Sequence, residues 1–128
     1  MTIDNTKSEY YLTYGRKNGD VFSAIDPSFR SGLNGWMIVG SVGGDNRAGV
    51  AFGFPVQNVD GVYLIPYPTE DWRQLEWQFI DPDGEFFKVE SGHLILKLEN
   101  RMTLGSGSFE FKLEDDSEVE GTFRLLRS

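Results

Sequence analysis

Residues 105–126 read GSGSFEFKLEDDSEVEGTFRLL, and their patterning decides the fold class. Gly107, Phe109, Phe111 and Leu113 alternate with Ser108, Glu110, Lys112 and Glu114. After an acidic turn, Val119, Gly121, Phe123 and Leu125 alternate with Glu120, Thr122 and Arg124. Period-two patterning on both sides of a polar turn specifies two half-buried strands, each with one apolar face. A five-residue loop over 114–118 would set Leu113 opposite Val119, Phe111 opposite Gly121 and Phe109 opposite Phe123. It would also place Lys112 beside Glu120 on the outer face, a favourable cross-strand pair. A three-residue loop is the weaker choice, because it lacks the glycine such turns usually carry.

Working back towards the N-terminus, the same pattern recurs. Leu94, Leu96 and Leu98 alternate with His93, Ile95 and Lys97, and residues 85–89, EFFKV, precede them across Ser91-Gly92. Asp81-Pro82-Asp83-Gly84 has proline second and glycine fourth, as a type I turn with a glycine bulge requires. Leu75, Trp77 and Phe79 alternate into that turn, and Thr69-Glu70-Asp71 reads as a short helical start covering 69–72. Residues 62–67, VYLIPY, form a strand closed by prolines. In residues 49–56, Val50, Phe52, Phe54 and Val56 share one side, while Gly49, Ala51, Gly53 and Pro55 share the other. A nearly bare face means that another sheet, an aromatic ring or a ligand approaches the backbone there. Residues 35–42, GWMIVGSV, are apolar on both faces and read as a central strand.

At the N-terminal end, strands over 10–14 and 21–25 flank Asn18-Gly19, a strong two-residue hairpin signal. That loop would oppose Lys17 to Asp20 and Leu12 to Ile25. Residues 26–34 read as a Pro/Gly/Ser connection with Phe29 and Leu33 as apolar plugs, and Gly43-Gly44-Asp45-Asn46 as a turn. Nine or ten short strands on short loops predict an all-β fold, an antiparallel sandwich with a closed barrel as the alternative. Residues 1–8 are polar and expected to be flexible, and 9–128 to form one β domain.

The 128 residues include no cysteine, which excludes disulfides and thiolate metal sites. No apolar run of about 18 residues exists to span a membrane, and the first residues carry no secretory pattern, so a cytoplasmic location is expected. The net charge is −8, with −1 in residues 1–64 and −7 in residues 65–128. Such a surface repels phosphate backbones, so neither nucleic acid nor membrane is expected as a partner. A cationic protein remains compatible with it.

Catalytic chemistry finds little support. His93 is the single imidazole and lies on the polar phase of its strand. Gly105-Ser106-Gly107-Ser108 leads into a strand rather than the helix a nucleophile elbow requires. Asp81, Asp83 and Glu85 lack the remaining ligands of a calcium loop. We therefore expect no enzyme, no metal and no cofactor. The aromatic inventory is more informative. Trp72 falls out of phase with Leu75, Trp77 and Phe79, and with Tyr63, Tyr67 and the bare face of Gly49, Ala51 and Gly53 it forms the candidate binding patch. The expected function is a non-catalytic binding or interaction module, monomeric or weakly self-associating, with a protein, small molecule or carbohydrate as ligand. Two alternatives come from other classes. One is a barrel carrying a small apolar ligand lined by Trp36, Phe52, Phe54 and Trp77. The other is an acidic inhibitor or immunity-type protein using residues 110–120 against a cationic partner.

Overall fold

The computed structural model describes residues 9–32, 35–42, 48–68 and 76–128. The described residues form ten strands and no helix: β1 (Tyr11–Arg16), β2 (Phe22–Ser23), β3 (Ile25–Ser31), β4 (Trp36–Ser41), β5 (Gly49–Phe54), β6 (Gly61–Tyr67), β7 (Gln78–Ile80), β8 (Phe86–Glu99), β9 (Leu104–Leu113) and β10 (Glu118–Leu126). All the ladders between strands are antiparallel, in the order β2-β1-β10-β9-β8-β7-β5-β4-β3, with β6 attached to β8. The predicted helical turn at 69–72, the plug Leu33, the 43–46 turn and the N-terminal residues 1–8 lie outside the described residues.

The two halves face each other across one core, as in a sandwich. They share β8, and the sheet curls until it nearly closes as a barrel. Phe52 of β5 packs against Phe109 at 4.7 Å between ring centroids and Phe111 and Phe123 at 5.9 Å, joining the two halves. Those four rings and Ile38, Leu94 and Leu96 are all 0–1 % exposed. Burying side chains of this size stabilises by about 1.5–3 kcal/mol each, and this term holds the cysteine-free wall closed.

Register departs from the sequence expectation in two hairpins. In the β9–β10 hairpin, Lys112 faces Glu118, Phe111 faces Val119, Phe109 faces Gly121 and Gly107 faces Phe123. The loop is the three-residue form over 114–116, with Asp116 taking the left-handed conformation at φ 71° in place of a glycine. The shift is two residues, so every side chain keeps its expected face. It gains a second aromatic-over-glycine pair, and a Cβ at Gly121 would overlap the Phe109 ring. In the β1–β2 hairpin the shift is one residue. Tyr14 faces Phe22, and the Ala24 amide donates to the Leu12 carbonyl at 2.9 Å. Ile25 consequently turns outward, 60 % exposed, and pairs with Ser41 of β4. Residues 26–34, expected as a connection, contain most of strand β3. Pro27 is accommodated because the register shifts between Ile25 and Ser28, and Asp26 adopts φ 51° there. Phe29 is the expected plug, at 0 % exposure.

The predicted break at Ser91-Gly92 is instead a bulge between Val89 and Ser91 within one fourteen-residue strand. Phe86–Lys88 of β8 pair with β7, and Gly92–Leu98 pair with β6, so the irregularity lies where one neighbour is exchanged for the other. The Asp81–Gly84 turn forms as expected. Gly84 has φ 85°, its amide donates to the Asp81 carbonyl, and Asp81 Oδ1 accepts the Asp83 and Glu85 amides.

Candidate functional site

On the bare side of β5, Gly49 and Gly53 are buried, while Ala51 and Pro55 are half-buried. Gly49 is buried between β4 and β7, opposite Ser41 and Ile80, and a Cβ on it would approach the Gly40 carbonyl oxygen at 2.7 Å. Ala51 is half-buried opposite Val39 and Gln78. The buried Gly53 carbonyl accepts the Trp77 indole N–H at 2.8 Å. Tyr67 stacks on that indole, 4.6 Å between centroids and 13° from parallel. Of the predicted patch, Tyr67 and Gly53 are thus brought together through Trp77, and Gly49 and Ala51 lie further along β5. Trp72 lies outside the described residues.

Strand β6 determines what remains visible to a partner. Its alternate residues Tyr63, Ile65 and Tyr67 pack against the core, and the Tyr63 hydroxyl donates to the Val59 carbonyl. The other phase faces solvent: Val62 is 68 % exposed and Leu64 70 %. Leu64 is directly opposite Ile95 of β8, itself 42 % exposed, and Val62 is opposite Lys97. The solvent-facing phase of β6 is therefore aliphatic. The signal was present in the sequence, since 62–67 is apolar in both phases. That pattern ordinarily marks a strand covered on both sides.

A second feature lies on the outer face of β1, β10 and β9. Thr13, Gly15, Ser108, Glu110, Glu120 and Thr122 line a groove of about 320 Å3. Small side chains form its floor, while Glu110 and Glu120 stand directly opposite each other. Neither carboxylate has an ion-pair partner within 4 Å among the described residues. At the rim Lys17 pairs with Glu118 at 2.9 Å. That hydrogen bond, with the charges of Glu118, Glu110 and Glu120 around it, holds the Lys17 amine above its ordinary pKa.

Each end of the barrel carries an arginine on aromatic rings. At one end Arg16 lies 5.1 Å from the Phe79 centroid and 5.0 Å from that of Phe87. It also donates to Ser117 Oγ and ion-pairs with Asp81 and Asp115 at 3.8 and 3.9 Å. At the other end the Arg127 guanidinium lies 4.4 Å from a Trp36 ring centroid and its Nε donates to the Met102 carbonyl at 3.0 Å.

Among the described residues no group of three or more His, Cys, Asp or Glu side chains is arranged to hold a metal ion. No helix among them is long and apolar enough to cross a membrane. No family model matches the chain, and comparison with curated proteins and with solved structures finds no match.

Proposed function

We propose that the chain is a non-catalytic interaction module that takes an extended strand of a protein partner along the free edge of β6. The observation that carries this reading is an uncharged, seven-residue strand, paired on one side to β8 and without a strand partner on the other among the described residues. Natural edges are ordinarily protected by charged side chains, bulges or coverage. Here Val62, Leu64 and Ile95 instead form a contiguous aliphatic strip beside backbone that has no second ladder among the described residues. Strand addition uses both features: main-chain hydrogen bonds supply affinity, and alternate side chains supply selectivity. Pro66 contributes no amide, which confines the useful ladder to the Gly61–Ile65 side.

Extended peptides selected from a library against the whole chain would test this. Bound peptides should shift the β6 amide signals, and Leu64→Lys should weaken them at least tenfold. An exposed site of this kind changes stability by no more than about 0.5 kcal/mol on substitution, so unfolding of the variant should match the parent. Peptides that leave the β6 amides unmoved, or survive Leu64→Lys and Val62→Lys alike, would refute the reading.

The unpaired Glu110 and Glu120 favour a second reading, a cationic partner docked at the β9–β10 groove. It predicts binding that weakens steeply with salt and is lost on Glu110→Gln/Glu120→Gln. The carrier alternative has less support. Trp36 contacts Phe29 and Phe54, and Trp77 contacts Phe52, Phe111 and Tyr67, so the rings assigned to line a cavity fill one another's space.

A further inference from the structure

The barrel wall is unevenly closed. From β2 to β4 by way of β1, β10, β9, β8, β7 and β5, each strand is joined to its neighbour by a ladder. The remaining gap separates β3 from β1 and β10, and there the described residues form no ladder. One end of the gap is pinned by the Ala24 amide on the Leu12 carbonyl. The other is pinned by residues 127–128, which follow β10. Arg127 forms an isolated parallel bridge to Phe29, and the Ser128 amide donates to the Phe29 carbonyl at 2.9 Å.

Arg127 holds this second pin. Its amide donates to the Thr103 carbonyl at 2.7 Å, its Nε donates to Met102, and its guanidinium covers Trp36. It has no carboxylate partner within 4 Å among the described residues, whereas Arg16 at the opposite end has two. Behind the pin lies a cluster of Phe29, Trp36 and Phe54, with ring centroids 5.7–6.4 Å apart.

We propose that this seam is a conformational opening built into the fold, with Arg127 as its latch. The β3–β4 hairpin parts from residues 127–128 while the β8–β9–β10 ladders stay paired, and the aromatic interior becomes accessible from that side. Free energies of local opening range from near zero to the global value according to how many contacts must break. Breaking this seam sacrifices two pins and part of the burial of Phe29 and Trp36, but no ladder.

Because the chain has no cysteine, single thiols report the opening cleanly. Ile38→Cys places a thiol on β4 and Leu96→Cys one on β8, both at positions of 0 % exposure. After correction for each variant's global unfolding in urea, a thiol reagent should label Ile38→Cys at least tenfold faster than Leu96→Cys. Adding Arg127→Ala should accelerate the first by a further tenfold and leave the second within twofold. Arg127→Lys, which keeps the charge and loses the planar stack, should fall between. Labelling of both thiols only at the rate of global unfolding would overturn the proposal. So would equal acceleration of both by Arg127→Ala, since that marks Arg127 as ordinary packing. Should Arg127→Ala fail to fold, the comparison of Ile38→Cys with Leu96→Cys on the parent background still decides the matter.

Discussion

At the scale of single residues, Tyr14 stands out. It is 2 % exposed, packs near Phe22 and Phe79, and its hydroxyl has no hydrogen-bond partner among the described residues. A buried hydroxyl left unsatisfied costs about 1–3 kcal/mol, so Tyr14→Phe should raise the unfolding free energy by about 1 kcal/mol or more. Burial also pushes the phenol from its ordinary 10.0 up to about 12, because the phenolate would be desolvated. Between those values the folded chain keeps a proton that the unfolded chain releases. Stability must therefore fall as pH rises through that window, by roughly 2–3 kcal/mol for a shift of this size. The difference between parent and Tyr14→Phe unfolding curves, measured from pH 8 to 11.5, should widen above pH 10; a difference independent of pH would contradict this assignment. Nothing in the sequence foretold the orphan hydroxyl. Leu12 and Tyr14 share the inward phase, but whether a polar tip finds a partner depends also on side chains from β7, which is remote in the chain.

At the scale of elements, the turns separate what local pattern can specify from what it cannot. Gly84 forms its predicted bulge because a proline and a glycine both constrain the backbone locally. The β8–β9 turn is different: Asn100, Arg101 and Met102 all adopt positive φ, at 55°, 60° and 62°. Such residues cost about 1–2 kcal/mol each in this conformation, and no glycine marks the spot. The compensation comes from far along the chain, where the Asp60 carboxylate accepts the Arg101 and Met102 amides at 3.2 and 2.7 Å. The same reasoning explains Asp116, whose turn is braced by Asp115 accepting the Ser117 amide and hydroxyl. Those hydrogen bonds hold the Asp115 carboxyl below its usual pKa. In the β9–β10 hairpin, strand identity and facing were legible because period two survives a two-residue slip. The Lys112–Glu118 register was not, because it rests on a left-handed aspartate and on steric fit between Phe109 and Gly121. The exposed edge at Val62 and Leu64 was concealed by its similarity to a covered strand. From the left-handed turn it follows that Arg101→Gly should stabilise by about 0.5–1 kcal/mol, and Asp60→Ala should destabilise by about 1–2 kcal/mol. Urea unfolding measures both, and destabilisation by Arg101→Gly would mean that the turn is not under conformational cost.

For the whole molecule, the distribution of charge sets how the barrel responds to its solvent. Seven ion pairs join described residues, but only Lys17–Glu118 is as short as 2.9 Å; the others span 3.3–3.9 Å and most are well exposed. Pairs of that kind contribute about 0–1 kcal/mol and are screened by salt. Against them stands a net charge of −8, concentrated in the half of the sequence that supplies β7 to β10, with Glu110 directly facing Glu120. Self-repulsion disfavours the compact state more than the extended one, and like charges directly across a ladder are destabilising. Repulsion should therefore outweigh the weak attractions, and screening should stabilise the fold. Raising NaCl from 20 to 300 mM, across which the Debye length falls several-fold, should increase Tm by about 2–4 °C, the equivalent of roughly 0.5–1 kcal/mol. Glu120→Gln removes one member of the facing pair, so it should raise Tm at low salt and shrink the salt response at the same time. A parent Tm that falls on adding salt would show that the ion pairs, Lys17–Glu118 foremost, prevail over the facing carboxylates, and would remove the electrostatic argument for a cationic partner at that groove.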